Sequence, residues 1–402
     1  MKTFDETLYA LLNDVQVTTQ TETINVADGL YRILAQDITS SVNVPPHDNS
    51  QMDGYVLHSF DLEHADTFPV SQRIAAGEVG KELEHGSIAR IFTGAPIPAG
   101  ANQVVMQEDT EEVDGKIQIR VKATPGEYIR KKGEDITSGQ TILKAGTRLR
   151  PQELGLISSI GIGQIEVYQP LKIATFTTGD ELLEPGEAAE EGKIYNANRY
   201  TLSGLIPQLG FELIDLGRVE DSLDSTVSAM KKAADMADIV MTTGGVSVGE
   251  EDHIKPAIEQ LGELYTWKVK MKPGKPLAYG RLKTDKGVVP FFGLPGNPVS
   301  AFATFKLFAR PYLMKMQGTT QIKTNPIWLA ADFDWPKANF RREFLRARIT
   351  NKRQESVVEI FPNQSSGVLM SASWAEGFAV IPEDTTIAKG DTVAFYPFST
   401  FV

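Results

Sequence analysis

The stretch from Leu171 to about Gly318 constrains the fold most, because short apolar runs and helical segments alternate through it with Gly-rich loops between them. Ile173–Phe176, Phe211–Leu216, Asp238–Met241 and Phe291–Phe292 read as strands. Ala197–Leu209, Leu223–Ala237, Ile254–Leu261 and Ser300–Met314 read as helices. Strand, loop and helix repeated in this order specify an α/β fold, a doubly wound, mostly parallel sheet with helices on both faces. Ligands of such sheets lie outside the carboxyl ends of the strands, so the loops there are where chemistry is expected.

The rest of the chain has other textures. Residues 3–13 predict an amphipathic helix with Leu8, Leu11 and Leu12 on one side, and a second helix is expected over Asp28–Ala35. From Pro45 to Gly146 short alternating runs are broken by Gly, Pro and Asp-Gly, the pattern of a β-rich module. A helix and then a strand are expected over 151–167, and a separate all-β module beyond Thr324. With 402 residues the chain has room for two to four domains at the usual ~100–200 residues each.

Composition narrows the partners. A net charge of -12 argues against binding duplex nucleic acid or an anionic membrane, both of which need a basic face. No run approaches the ~20 apolar residues of a membrane helix. The first residues carry acids where a secretory leader carries bases. Cysteine is absent, which removes disulfides, thiolate nucleophiles and zinc–thiolate sites. A cytoplasmic address is therefore expected. The five histidines form no HExxH pattern, so any metal should be oxygen-ligated.

Three loops of the α/β part share a composition: Phe176–Leu182 (FTTGDEL), Thr242–His253 (TTGGVSVGEEDH) and Gly293–Phe302 (GLPGNPVSAF). Glycines such as Gly244 and Gly245 let backbone N–H groups approach a ligand, and helix N-termini favour anions, so the set can cradle phosphate. Glu181, Asp221 and Asp252 would repel that anion unless a hard divalent cation intervened. Equally, Asp221 and Asp252 can be first-turn residues favoured by a helix dipole. Opposite the acids, Trp267–Pro276 concentrates Lys268, Lys270, Lys272 and Lys275. Period two sets the first three of these lysines on one face of a strand assigned to the buried sheet. A second basic cluster, Asn339–Arg348, carries Arg341, Arg342, Arg346 and Arg348 beside Glu343. In the N-terminal half, Pro45–Tyr55 offers Asp48 and Asp53, Arg90–Gly100 offers Thr93, and Arg130–Ile136 offers Asp135. The residues alone thus describe a multidomain, Mg²⁺-dependent enzyme acting on a phosphate-bearing small molecule.

The motifs MDGY, TGAPIP, RKKGEDI, TTGDEL, GGVSVGEEDH, KPGKP and GLPGNPVS, in this order, closely resemble those of the molybdopterin molybdenumtransferases, the bacterial MoeA family with the C-terminal domain of gephyrin. The resemblance spans the whole chain. It implies a discontinuous helical linker and dimerisation domain (1–48 and 145–170), a β-rich insertion (49–144), a molybdopterin-binding α/β domain (171–322) and a C-terminal β-barrel (323–402). It implies an enzyme that takes adenylylated molybdopterin and molybdate, cleaves the pyrophosphate link with Mg²⁺, releases AMP and completes the molybdenum cofactor. Glu181, Asp221 and Asp252 would organise Mg²⁺, and Lys268, Lys272 and Lys275 would neutralise the ligand. Gly244, Gly245 and Ser247 would line the pterin-phosphate loop, Pro295, Pro298 and Ser300 the molybdate loop, with Arg346 and Ser366 completing an oxyanion pocket. Arg341 and Arg342 leave open which arginine meets molybdate. Asp53, Thr93 and Asp135 match positions that similar enzymes bring to the α/β site of the other subunit, so a homodimer with a shared site is implied. Molybdopterin adenylyltransferase and molybdoenzymes are the implied protein partners. The rival readings are a molybdopterin adenylyltransferase, or a scaffold of the gephyrin type.

Overall fold

The computed structural model describes residues 1–122, 124–245, 253–285, 287–352 and 355–401. Its central sheet has six strands in the order Glu212–Val219, Lys172–Thr178, Ile239–Thr243, Gly287–Leu294, Pro276–Thr284 and Gly262–Lys268. The first four pair in parallel, and the last two are antiparallel additions at one edge. The two inner strands of the parallel set, Lys172–Thr178 and Ile239–Thr243, are buried almost throughout because helices cover both faces. Alternation along a strand sends neighbours to opposite cores. Ile173, Ile239 and Met241 face the helices Ala197–Gln208 and Pro298–Met316, whereas Ala174, Phe176 and Val240 face Leu223–Met236 and Ile254–Leu261.

Four expected strands and three expected helices of this part lie where their apolar runs fall, within a few residues. The fourth helix runs from Pro298 to Met316 with a π-helical turn at Phe305–Ala309. The Lys268–Lys272 run departs from expectation. The edge strand ends at Lys268, and Met271–Lys272 instead pairs in parallel with Arg342–Glu343, leaving the α/β sheet for the C-terminal one. A strand at a sheet edge is open to solvent on its flank, which removes the objection to lysines in it.

Strands Ile327–Ala331, Arg342–Lys352, Glu355–Ile360, Gly377–Ile381 and Thr392–Pro397 close into a barrel, because Arg342–Lys352 pairs with both Glu355–Ile360 and Gly377–Ile381. Its interior holds Leu345, Ala347, Val358, Ala379 and Phe395. Outside the barrel, Phe344, Phe378 and Phe401 join the same apolar cluster as Phe4, Leu11, Phe305 and Phe308. One continuous core therefore joins the first helix, the α/β sheet and the barrel.

That first helix, Phe4–Asn13, starts at a capping box in which Thr3 and Glu6 each accept from the other's backbone N–H. The expected helix over Asp28–Ala35 is not formed. A 3₁₀ turn at Val26–Asp28 is followed by Tyr31 at φ 63° and by single bridges from Ile33 to Arg148 and Leu34 to Val167. The backbone there is taken up by partners more than a hundred residues away, which local periodicity does not report. Thr21–Asn25 likewise pairs with Gln164–Tyr168, and Val26, Leu34 and Ile38 share a core with Leu149, Ile157 and Ile165. Between these halves the β-rich insertion holds a four-stranded and a three-stranded sheet. Among the described residues no helix is long and apolar enough to cross a membrane.

Candidate active site

The carboxyl ends of the parallel strands open into a cleft of about 800 Å³ against the barrel. Thr178 and Thr243 end their strands at its floor, and Glu181 stands on the loop beyond Thr178 with its side chain exposed. Gly244 and Gly245 follow at φ 84° and 62°, a left-handed pair that would strain any residue with a Cβ. Across the cleft stand Lys272 and Lys275 on the turn Lys272–Pro276, and Pro295 and Pro298 with Ser300 at the start of the long helix. Barrel residues Arg341, Gln364, Ser365 and Ser366 close the far wall. The backbone N–H of Val299 donates to the Ser366 carbonyl at 3.0 Å, which ties the GLPGNPVS loop directly to the barrel.

Hydrogen bonds fix the remaining wall. Asn196 caps the helix Ala197–Gln208 by accepting from Arg199, and its amide donates to Thr177 Oγ1 (2.8 Å) and Glu184 Oε1 (3.0 Å). Asn198 donates to the Gly296 carbonyl at 2.8 Å, while its own Oδ1 is buried without a partner among the described residues. A buried, unsatisfied acceptor costs about 1–3 kcal/mol, and one in a cleft wall is placed to take a ligand donor.

Nine of the sequence-predicted residues thus meet in one cleft: Glu181, Gly244, Gly245, Lys272, Lys275, Pro295, Pro298, Ser300 and Ser366. Ser247 and Asp252 lie outside the described residues. Asp221 follows the strand Glu212–Val219 at the same sheet edge and stands apart from this wall, as does the exposed Lys268. Arg346 lies behind the wall: it is 1% exposed and donates to Ser371 Oγ, the Ser365 carbonyl and the Phe344 carbonyl. Burial pushes its guanidinium down to about 10. Arg342 is engaged by Asp5 and Glu383. Arg341, by contrast, faces the cleft and has no carboxylate partner among the described residues. It precedes its strand, so period-two reasoning could not assign it, and Asn198 carries no sequence signal at all. Among the described residues Glu181 is the one carboxylate in the wall, and no cluster of three or more metal-ligating side chains forms.

Asp53, Thr93 and Asp135 are elsewhere, on the insertion, and all three are exposed. Both the backbone N–H and the hydroxyl of Thr93 donate to Asp53 Oδ1 at 2.8 Å. Those bonds hold the Asp53 carboxyl below its usual range. The three motif loops are stitched together by Ile97 N–H to the Asp48 carbonyl, Gly133 N–H to the Pro45 carbonyl and Asp135 N–H to the Val44 carbonyl. Asp48 also accepts from Lys132 N–H (2.8 Å) and Lys131 Nζ (3.0 Å). Partial burial raises the Asp48 carboxyl, yet these contacts outweigh it and hold the group low.

Comparison with known proteins matches three successive parts of the chain. The family described as the MoeA N-terminal region (domain I and II) matches residues 2–161, a probable molybdopterin binding domain matches 174–315, and the MoeA C-terminal region (domain IV) matches 329–398. A doubly wound domain of this kind, set between those two regions, defines the class as the multidomain proteins of molybdenum cofactor biosynthesis. Among relatives, a molybdopterin molybdenumtransferase of Haemophilus influenzae is 38% identical and covers 99% of both chains. One of Staphylococcus aureus is 33% identical over 94% of this chain and 90% of its own. Two solved structures of the molybdopterin biosynthesis MoeA protein from Pyrococcus horikoshii superpose with TM-scores of 0.85 (29% identity, 99% and 100% covered) and 0.78 (31%, 98% of each). The chain belongs to the MoeA family of molybdopterin molybdenumtransferases.

Proposed function

We propose that this protein transfers molybdenum from molybdate to adenylylated molybdopterin, with Mg²⁺-dependent cleavage of the pyrophosphate link and release of AMP. The observation that carries the reading is the cleft itself, where Lys272, Lys275 and Arg341 face Gly244, Gly245 and Glu181 in a chain of net charge -12. Global acidity keeps polymers away, while local cations receive a small polyanion. Glu181 has no ion pair or side-chain hydrogen bond among the described residues. That leaves it open to a hard cation held by one or two carboxylates and the ligand's phosphates. Bound there, Mg²⁺ would supply Lewis-acid charge to the pyrophosphate oxygens. The protein's own work is positioning: lysines and Arg341 orient the phosphates, the left-handed glycines admit them, and Ser300 and Ser366 offer hydroxyl donors to an oxyanion.

The exposed loops of Asp53, Thr93 and Asp135 would complete the cleft of a second copy, making the working unit a homodimer in the cytoplasm. Supplying adenylylated molybdopterin, Mg²⁺ and molybdate should give AMP release that depends on molybdate. Activity seen only with free molybdopterin and ATP would instead identify the adenylyltransferase step. An Asp53→Ala chain that still inserted molybdenum while losing a protein partner would favour the scaffold role.

A further inference from the structure

Among the described residues Lys272 is the one cleft cation anchored from behind by a carboxylate. Its Nζ donates to Glu343 Oε1 at 2.8 Å, and the other carboxylate oxygen accepts from Trp335 Nε1 at 2.6 Å. Glu343 is 2% exposed, whereas the Lys272 side chain keeps 39% of its surface open. Trp335 is itself pinned to Ile387 by a pair of backbone hydrogen bonds, and its ring lies 5.9 Å from the ammonium. The backbone reinforces the link, since Met271–Lys272 pairs in parallel with Arg342–Glu343.

A buried carboxylate must be fully bonded or it destabilises the fold, and Glu343 uses one oxygen on each of two donors, Lys272 and Trp335. An ammonium carries three N–H groups in a fixed tetrahedron. Binding one of them to a rigid acceptor directs the other two and removes rotamer freedom from a side chain that would otherwise lose it on meeting a ligand. Lys275, on the same turn, has no such anchor among the described residues and is exposed.

We infer that Glu343, fixed by Trp335, is a positioning residue that aims Lys272 at the anionic substrate. The barrel thus contributes to the α/β site through a contact that never touches the ligand. The identity of that anion rests on the reading proposed above; the aiming does not.

The test is a double-mutant cycle read by titration with inorganic pyrophosphate and, separately, by AMP release, on the full-length protein. Glu343→Gln should weaken pyrophosphate binding and raise KM about tenfold, the value of one well-made charged hydrogen bond, with kcat changed less than twofold. In a Lys272→Met background Glu343→Gln should add nothing, because its route to the ligand is gone. Glu343→Asp, which keeps the charge, should recover part of the affinity. A merely structural Glu343 would lower Tm equally in both backgrounds and leave pyrophosphate affinity alone. Losses that add across the cycle, unchanged affinity in Glu343→Gln, or no pyrophosphate binding by the unmodified protein would each overturn the inference. If Glu343→Gln fails to fold, Trp335→Phe run through the same cycle decides by the same criteria. Absent AMP release with an intact pyrophosphate cycle would remove the proposed reaction and leave the positioning role standing.

Discussion

The cleft and the loop face of the insertion carry the same kinds of residue in opposite settings. In the cleft, Glu181, Lys272, Lys275 and Arg341 line a concavity of about 800 Å³ whose walls come from two modules. On the insertion, Asp53, Thr93 and Asp135 sit on exposed loops that bond to one another and lie apart from that cleft. These loops invest several hydrogen bonds in a fixed, exposed shape. The difference teaches that the residues drawn together by the motif pattern are not gathered within one chain. The proposed account makes the two regions halves of one site.

The comparison can be broken from either side. Glu181→Ala should have the largest effect, slowing AMP release on the order of a hundredfold with little change in Tm. It removes the cleft's described oxygen donor for a cation, and several kcal/mol of charge stabilisation with it. Normal turnover in that variant would detach the cation from this wall. Lys275→Ala should raise KM about ten- to a hundredfold and flatten the salt dependence of binding, as expected for a charged contact to phosphate. Titration with unchanged affinity would return Lys275 to ordinary surface. Asp53→Asn should have the smallest effect on stability. Because the folded-state carboxyl is held low by Thr93, its contribution is present above the ordinary carboxylate value of about 3.9 and fades as pH falls through the depressed one. The Tm difference between Asp53→Asn and the unmodified protein should therefore be constant from neutral pH to about pH 5 and vanish in stronger acid. A difference that grew on acidification would have the wrong sign for this contact.

Much of the fold was legible because its determinants are local. The helix bounds at Ala197, Leu223 and Ile254 follow from apolar runs and the turns before them, with Asn196 and Ser222 capping two of them. The three Gly-rich loops were legible for the same reason, and described residues of all three line the cleft. What escaped is nonlocal. Sequence periodicity places Lys272 in the wrong sheet because its strand partner, Glu343, lies 71 residues away. Period two groups Arg342, Arg346 and Arg348, yet 343–347 are buried on both sides between the barrel interior and the shared core, so alternation does not separate ligand-facing from interior positions. Arg346 therefore braces the Ser365 loop from inside, while Arg341, just before the strand, reaches the cleft.

The claim that cleft and loop face belong to one site is tested most directly by complementation. A Glu181→Ala chain and an Asp53→Ala chain, each inactive alone, are co-expressed and the purified mixture is assayed for molybdate-dependent AMP release. Random pairing makes half the dimers mixed, and each mixed dimer holds one intact site of two, so about a quarter of the unmodified activity should return. A mixture as inactive as either parent, with mixed dimers shown to be present, would contradict the account.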